Sequence, residues 1–288
     1  IPSIFYVSVL EVFDRLLKIK VHKAIGPEGI PNKILRNMAD ILAQPIAAFI
    51  NTSIQQGVVP EQWKTSRITL VPKTHPQATI EQDLRPIAIT NTIAKICEYF
   101  VGKFFNGHFH QFLDPNQFGC ATSRSTTQAL IKLSDAWMKS SENPANITRI
   151  LFVDFTKAFD RIDHNVLLHK FMSNAFPCHI TTWSLEFLRE RKQFVRIGST
   201  ESQTLVNRIG VPQGTLSGPN DFKLLINDLN LNCLYAKYVD DVTASSSSTD
   251  PTDLVLQTAA DTLVHWSDTT SMLVNQCKTK EMIVHFGK

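Results

Sequence analysis

The sequence predicts an α+β fold, and three observations predict it. The second half of the 288-residue chain runs strand, helix, helix, hairpin, helix, hairpin, helix, strand, the pattern of an antiparallel sheet backed by helices. The first half opens with helical spacing and then gives extended pieces at "SRITLVPK" and "LRPIAI". Hydrophobic residues make up 43% and charged residues 19%. An average globular chain carries roughly 25% charge, so there is apolar side chain for a core and no case for disorder.

Each element has its own local reason. Residues 5–19 repeat apolar side chains at helical spacing. Gly26, Pro27 and Gly29 then break the chain, and Pro31 suits the first turn of a new helix. Ile34, Leu35, Met38, Ile41 and Leu42 carry that helix until Pro45 interrupts it. "SRITLVPK" reads as a strand, "HPQATIEQDLRPIAI" as a loop into a second extended piece, and residues 92–105 as a helix. A loop through "PNQFGCATSRS" leads to a helix from about Thr126, and "SSENPAN" is a polar turn. "RILFVDF" is an apolar strand that ends on an acid, Asp154. Helices follow near 165–174 and 181–190. "QFVRIG" and "TLVNRIGV" form a hairpin across "GSTES". "PQGTLSGP" is a Gly/Pro loop before a helix at 220–229, and "SSSSTDPTD" links to a helix at 254–266. The end of the chain reads as a turn and a strand.

Composition narrows the function classes. No apolar run approaches the roughly 18 residues of a membrane span, and no signal peptide is visible. The five cysteines are scattered, odd in number and without CxxC spacing, which argues against a zinc site or a disulfide framework. The expectation is an intracellular protein of the nucleus or cytoplasm that needs no membrane. Residues 1–200 hold 23 basic against 16 acidic side chains, and residues 201–288 hold 6 against 10. A basic front and an acidic back suit a protein that holds a polyanion with one part and cations with another.

The chemistry centres on "YAKYVDDVTA". Neighbouring side chains on a strand point to opposite faces, so Asp240 and Asp241 serve one site only if the chain turns there. The reading is a hairpin, in through Tyr235–Val239 and out through 242–244. Two charges about 4 Å apart repel by roughly 1 kcal/mol in water and more where water is excluded. The pair is therefore a solvated turn or waits for a cation. An oxygen-ligated divalent cation needs carboxylates from separate segments, and Asp154 supplies the partner; alone it reads as a helix N-cap. "GVPQGTLSGP" carries three glycines and two prolines in ten residues, a shaped backbone that allows close approach to a ligand.

Together these motifs resemble a reverse transcriptase of the non-long-terminal-repeat retrotransposon type. "FVDFTKAFDRIDH" is similar to the family's first palm motif, "GVPQGTLSGP" to its second, "YVDD" to its third and "MLVNQCKTK" to its fourth. Upstream, "KAIGPEGIPNKIL", "VPEQWKTSRITLVPK", "LRPIAI" and "NQFGCATSRSTTQAL" follow the order of its finger motifs. The resemblance implies a right-hand polymerase without a thumb, with fingers at 1–148, including a palm-proximal helix near 92–105, and an antiparallel palm at 149–288. It implies an RNA-directed DNA polymerase core working by a two-metal mechanism on an RNA template, a DNA primer and deoxynucleoside triphosphates. The implied cofactor is two Mg²⁺ ions, with Mn²⁺ as a substitute. Asp154, Asp240 and Asp241 are the implied metal ligands, with the carbonyl of Phe155 as a fourth.

Further roles follow from the same resemblance. Phe159 sits under the sugar and leaves no room for a 2′-hydroxyl; its other reading is a core residue. Gln213 and Gly214 pack against the incoming nucleotide. Lys73 and Arg85 meet the triphosphate, or are solvated charges. Lys278 protonates the leaving pyrophosphate, or is a strand-edge lysine. Arg189, Arg191, Lys192 and Arg196 form a solvated face or track primer and template phosphates. The chain departs from the family pattern at Cys120 and Ala121, where an aromatic and an arginine are usual, and at Glu28, where aspartate is usual. It departs again at Asp221 and Lys223, in a helix that is mostly apolar elsewhere in the family. These two are expected on different sides, at least one of them in solvent. No thumb, endonuclease, ribonuclease H or zinc knuckle is read, so the expectation is the core of a longer retroelement polyprotein. The alternatives are a non-catalytic nucleic-acid-binding remnant and an RNA-directed RNA polymerase.

Overall fold

The computed structural model describes residues 5–73, 79 and 83–285. In chain order its elements are α1 (Val9–Leu17), α2 (Asn32–Asn37), α3 (Ala39–Gln56), β1 (Thr65–Pro72), β2 (Leu84–Thr90), α4 (Thr92–Phe109), α5 (Thr126–Ser141), β3 (Ile147–Val153), α6 (His164–Ser173), α7 (Cys178–Leu188), β4 (Arg191–Ile197), β5 (Thr200–Glu201), β6 (Leu205–Asn207), α8 (Gly218–Ile226), β7 (Leu234–Tyr238), β8 (Asp241–Ser248), α9 (Val255–Thr270) and β9 (Lys280–His285). The loop expected ahead of β2 lies largely outside the described residues. No described helix is long and apolar enough to cross a membrane.

The chain forms two compact units, each of two segments: Ile1–His108 with Leu168–Gly218, and Phe109–Leu167 with Pro219–Lys288. A single boundary at 148/149 follows chain order, whereas the packing interleaves the two halves.

In the first unit α1 begins at Ser8 with a capping box, Ser8 and Glu11 each holding the other's backbone N–H. The chain breaks at Met38 and not at Pro45, which lies inside α3. Proline removes one helical donor. The loss is tolerated because Ala43, Ile46, Ala47, Ile50 and Ile54 bury a full helical face. Trp183 of α7 is buried against this helix and donates its indole N–H to Ser53 Oγ at 3.0 Å. β1 pairs antiparallel with β2 and parallel with β4. The 191–207 strands therefore join the sheet of β1 and β2, not the sheet of the later hairpin as the sequence order suggests. Asn91 Oδ1 accepts from the N–H groups of Ile93 and Ala94 and so starts α4.

The second unit holds a four-stranded antiparallel sheet in the order β7-β8-β3-β9, with α5 and α9 packed on it. Ile150, Val153, Val242 and Ala244 are buried in it. Trp137 of α5 donates to Ser245 Oγ at 3.0 Å. Phe118, Ala129, Leu133 and Ala236 close the core between α5 and β7.

Candidate active site

The acidic residues meet because of register. Val153 pairs with Val242, and Tyr238 pairs with Asp241. The next position beyond Val153 on the central strand β3 is Asp154, which faces the start of β8, where Asp241 stands. Between Tyr238 and Asp241 only Val239 and Asp240 make the turn, so the adjacent carboxylates sit at a hairpin tip, as the sequence implied. Val239 takes φ +59°, a conformation costly for a β-branched residue, about 1–3 kcal/mol.

The turn is braced from behind. Phe118 N–H donates to Lys237 O, and Lys237 N–H donates to Asn116 O, both at 2.8 Å, so residues 116–118 run along β7. Gly119 then lies against the turn. A Cβ there would come within 2.8 Å of the Tyr238 carbonyl carbon and closer still to the Val239 nitrogen. This glycine is required by close approach.

Electrostatics at the tip are unfavourable to charge. Burial pushes the Asp240 carboxyl above the ordinary range; its own backbone opposes this, and Asp154 adds a further upward push. Asp241 is raised first by burial, then by Asp240 and Asp154. These charges feel one another, although no group of three His, Cys, Asp or Glu among the described residues is arranged to enclose a metal ion.

On its other side Asp154 is held by the segment leading into β9. Asn275 Nδ2 donates to Asp154 Oδ2 at 2.9 Å, and Asn275 N–H donates to Asp154 O at 2.7 Å. Lys278 is mostly exposed, with its Nζ 3.7 Å from the same Oδ2. The Lys-Thr pair was legible in sequence. Asn275 was not singled out, although it stands in the same short stretch. The donor set, hard carboxylate oxygens from two strands, is the chemistry Mg²⁺ prefers.

The remaining residues separate by environment. Phe155 buries its ring near Trp266, with centroids 6.0 Å apart. Phe159 is partly buried and stacks on Phe222 at 5.1 Å, so packing anchors its ring. Asp221 and Lys223 correct the sequence expectation: both are buried, at 3% and 2% exposure. Lys223 Nζ donates to Cys120 O and Asn220 Oδ1, and burial brings its pKa down to about 8.

Lys237 is fully buried too. Its ammonium donates to the carbonyls of Ile226, Asn227 and Leu229 at the end of α8, and pairs with Asp114 at 2.7 Å. A cation suits a helix C-terminus. The sequence signal was a lone lysine inside an otherwise apolar strand.

The first unit holds the other candidates. The β1–β2 register sets Val71 opposite Arg85, which puts Lys73 and Arg85 on one face of an exposed hairpin. The Gly/Pro loop is tied to β2: Ala88 N–H donates to Gln213 O at 2.7 Å. Gly214 has φ +106°, and a Cβ there would meet Ala88 O at 2.9 Å. Arg191 corrects the reading of its basic run. It is buried, stacks over Phe187 and donates to Phe187 O, Trp63 O and Ser66 Oγ, so it holds the core and meets no phosphate. Lys192 pairs with Glu61 and stays exposed. A cavity of about 300 Å³ beside Gly214 is lined by Arg15, Lys18, Lys20, Lys23 and Lys95.

The fold and site define a class. The chain superposes on telomerase structures, which are right-hand polymerases: apo telomerase of Candida tropicalis truncated of its C-terminal domain (TM-score 0.55, 12% identity, 85% of this chain and 56% of that one), and Candida albicans telomerase in complex with a TWJ fragment of telomeric RNA (TM-score 0.56, 14% identity, 80% and 45%). At that identity the likeness is one of fold. The chain belongs to the reverse transcriptase (RNA-dependent DNA polymerase) family, whose sequence profile matches residues 71–286. Within the family it is of the non-long-terminal-repeat retrotransposon type. It is 24% identical over 287 residues to the probable RNA-directed DNA polymerase from transposon BS of Drosophila melanogaster, covering 95% of this chain and 32% of that protein. It is 25% identical over 283 residues to the RNA-directed DNA polymerase from mobile element jockey of the same species, covering 93% and 31%. The chain thus spans about a third of the length of these relatives.

Proposed function

We propose that this chain is the nucleotidyl-transfer core of an intracellular RNA-directed DNA polymerase and extends a DNA primer on an RNA template with deoxynucleoside triphosphates. One observation carries the reading: Asp154 at the end of β3 faces the Asp240–Asp241 tip across the sheet, with both tip carboxyls raised by burial and like charge. Asp154, Asp240 and Asp241, with the Phe155 carbonyl, are the proposed Mg²⁺ ligands. Bound there, two ions would activate the primer 3′-hydroxyl and neutralise charge on the triphosphate.

The other side chains have separate tasks. Asn275 orients Asp154 by its 2.9 Å hydrogen bond, the kind of outer contact that fixes a ligand's direction. Lys278 Nζ, close to Asp154, delivers a proton to the departing pyrophosphate. Phe159, fixed by its stack on Phe222, bars a 2′-hydroxyl. Arg85 and Lys73 bind triphosphate oxygens; a guanidinium offers a two-toothed contact. Gln213 and Gly214 present backbone to the nucleotide. The five cations of the cavity beside Gly214 suit template phosphates. By chain order 1–148 are named fingers and 149–288 palm, although 168–218 pack with the first unit. Full-length relatives are longer, so further modules of a polyprotein are proposed partners.

The test is extension of a DNA primer on an RNA template with Mg²⁺ and deoxynucleotides, the 288-residue chain beside Asp240→Asn. Extension by the parent alone is the expected result. A folded parent that binds the duplex and adds nothing would favour the remnant reading. Equal use of ribonucleotides would favour an RNA polymerase.

A further inference from the structure

Glu98 is a fully buried carboxylate that no catalytic step uses. It lies in the middle of α4, among Ile96, Cys97, Phe100 and Val101, all buried. Putting a carboxylate there is costly unless it is hydrogen-bonded. Its Oε2 accepts from the backbone N–H of Leu216 at 2.7 Å, the N–H of Ser217 at 3.1 Å and the Ser217 hydroxyl at 3.4 Å. Those groups are the downstream end of the Gly/Pro loop, immediately before α8. Its Oε1 is buried without a hydrogen-bond partner.

The loop has a second anchor ten residues earlier on the same run of chain. Ala88 N–H holds Gln213 O, and Gly214 closes onto the Ala88 carbonyl. Inside the loop Thr215 Oγ1 donates to Pro212 O at 2.9 Å, and Gly218 N–H donates back to Thr215 Oγ1 at 3.2 Å. β2 fixes the Gln213–Gly214 peptide, and Glu98 fixes Leu216 and Ser217 just after it. β2 also carries Arg85. One continuous segment, 85–98, therefore bears a proposed triphosphate cation and both anchors of the loop proposed to pack against the nucleotide.

We infer that Glu98 is a positioning residue for nucleotide binding: through the N–H groups of Leu216 and Ser217 it holds the Gln213–Gly214 backbone in the shape that receives the incoming nucleotide. Burial raises the Glu98 carboxyl above its ordinary range, and Arg191 with the Ser217 and Leu216 N–H groups opposes the rise, so the loop donors and that cation are what favour charge there. An ionised acceptor binds N–H groups roughly twice as strongly as a neutral one. A glutamine would also put an amide N–H₂ where Oε1 already lacks a partner. The inference rests on the polymerase reading for the word nucleotide, but not for the clamp itself.

The experiment compares the 288-residue chain with Glu98→Gln and Glu98→Asp by two readouts. Glu98→Asp keeps the charge facing Arg191, which is the main cation opposing burial at Glu98, and shortens the reach; it carries the test should Glu98→Gln lose its fold. In hydrogen–deuterium exchange, a peptide spanning 211–218 should exchange about tenfold faster in the folded variant than in the parent, with peptides of α3 and α7 unchanged. In primer extension, the KM for deoxynucleotide should rise about tenfold while kcat per active molecule stays within about threefold. Unchanged loop exchange in a folded variant would overturn the clamp. Faster exchange with an unchanged KM would overturn its role in nucleotide binding and leave Glu98 a scaffold residue. A parent that extends no primer sinks the polymerase reading instead, and the exchange arm then judges the clamp alone.

Discussion

Two charged sites lie three residues apart on one hairpin and are treated in opposite ways. At Lys237 the protein satisfies the charge: three carbonyls and Asp114 surround the ammonium, which has no exposure to water. At the half-buried Asp240 and the more exposed Asp241 the protein supplies partial burial and more negative charge. The first arrangement needs nothing further and locks β7 to the end of α8. The second is unfavourable by itself and becomes favourable with a cation. A charge satisfied within the chain builds structure, and a charge left against its own kind marks the place where a ligand belongs. Asp154 stands between the two cases, held on one side by Asn275 and facing the tip on the other.

The largest effect is expected at the unsatisfied site. Asp240→Asn should lower primer extension roughly 10³-fold or more, on the order of 4 kcal/mol in the barrier, while its melting temperature does not fall, because a repulsive charge has been removed. A variant that loses stability and activity together would break the contrast. Lys237→Met should do the reverse first. Removing one partner of a buried pair leaves Asp114 uncompensated and costs about 3 kcal/mol in denaturant unfolding. Lys237→Met that unfolds like the parent would show the buried lysine to be no support.

Smaller changes sharpen the intermediate case. Asn275→Ala should cost about tenfold in extension rate with little change in the deoxynucleotide KM, the scale of a lost orienting contact; an unchanged rate would remove Asn275 from the site. Lys223 gives a pH test. Its folded pKa of about 8 lies below the ordinary 10.5, so between those values the unfolded chain binds more protons and stability rises with pH. Measured by urea unfolding across that window, the parent should gain stability relative to Lys223→Met. Parallel curves would place Lys223 in a more hydrated setting than its burial implies.

What could be read from the sequence depends on the range of each interaction. The Asp-Asp turn was legible because adjacent acids cannot share a face on a straight strand. Asp154 was legible as an acid closing an apolar run. Both are local signals. Asn275 was not, since its partner is 121 residues away and depends on how β9 registers against β3. Arg191 and Lys237 misled or went unnoticed for the same reason: a cation reads as surface until the carbonyls around it are known. The 191–207 strands looked like neighbours of the later hairpin by chain order, yet β4 pairs in parallel with β1, over a hundred residues earlier. Pro45 read as a stop because the sequence does not reveal that buried aliphatic residues continue on both sides of it.

The measurement that tests the central claim most directly is thermal melting of the chain and of its Asp154→Asn and Asp240→Asn variants, with Mg²⁺ and with NaCl at matched ionic strength. An ion that binds only the folded state raises its stability. The account predicts that Mg²⁺ raises the melting temperature of the parent and leaves both variants where NaCl leaves them. An equal rise in all three proteins, or none in the parent, would contradict it.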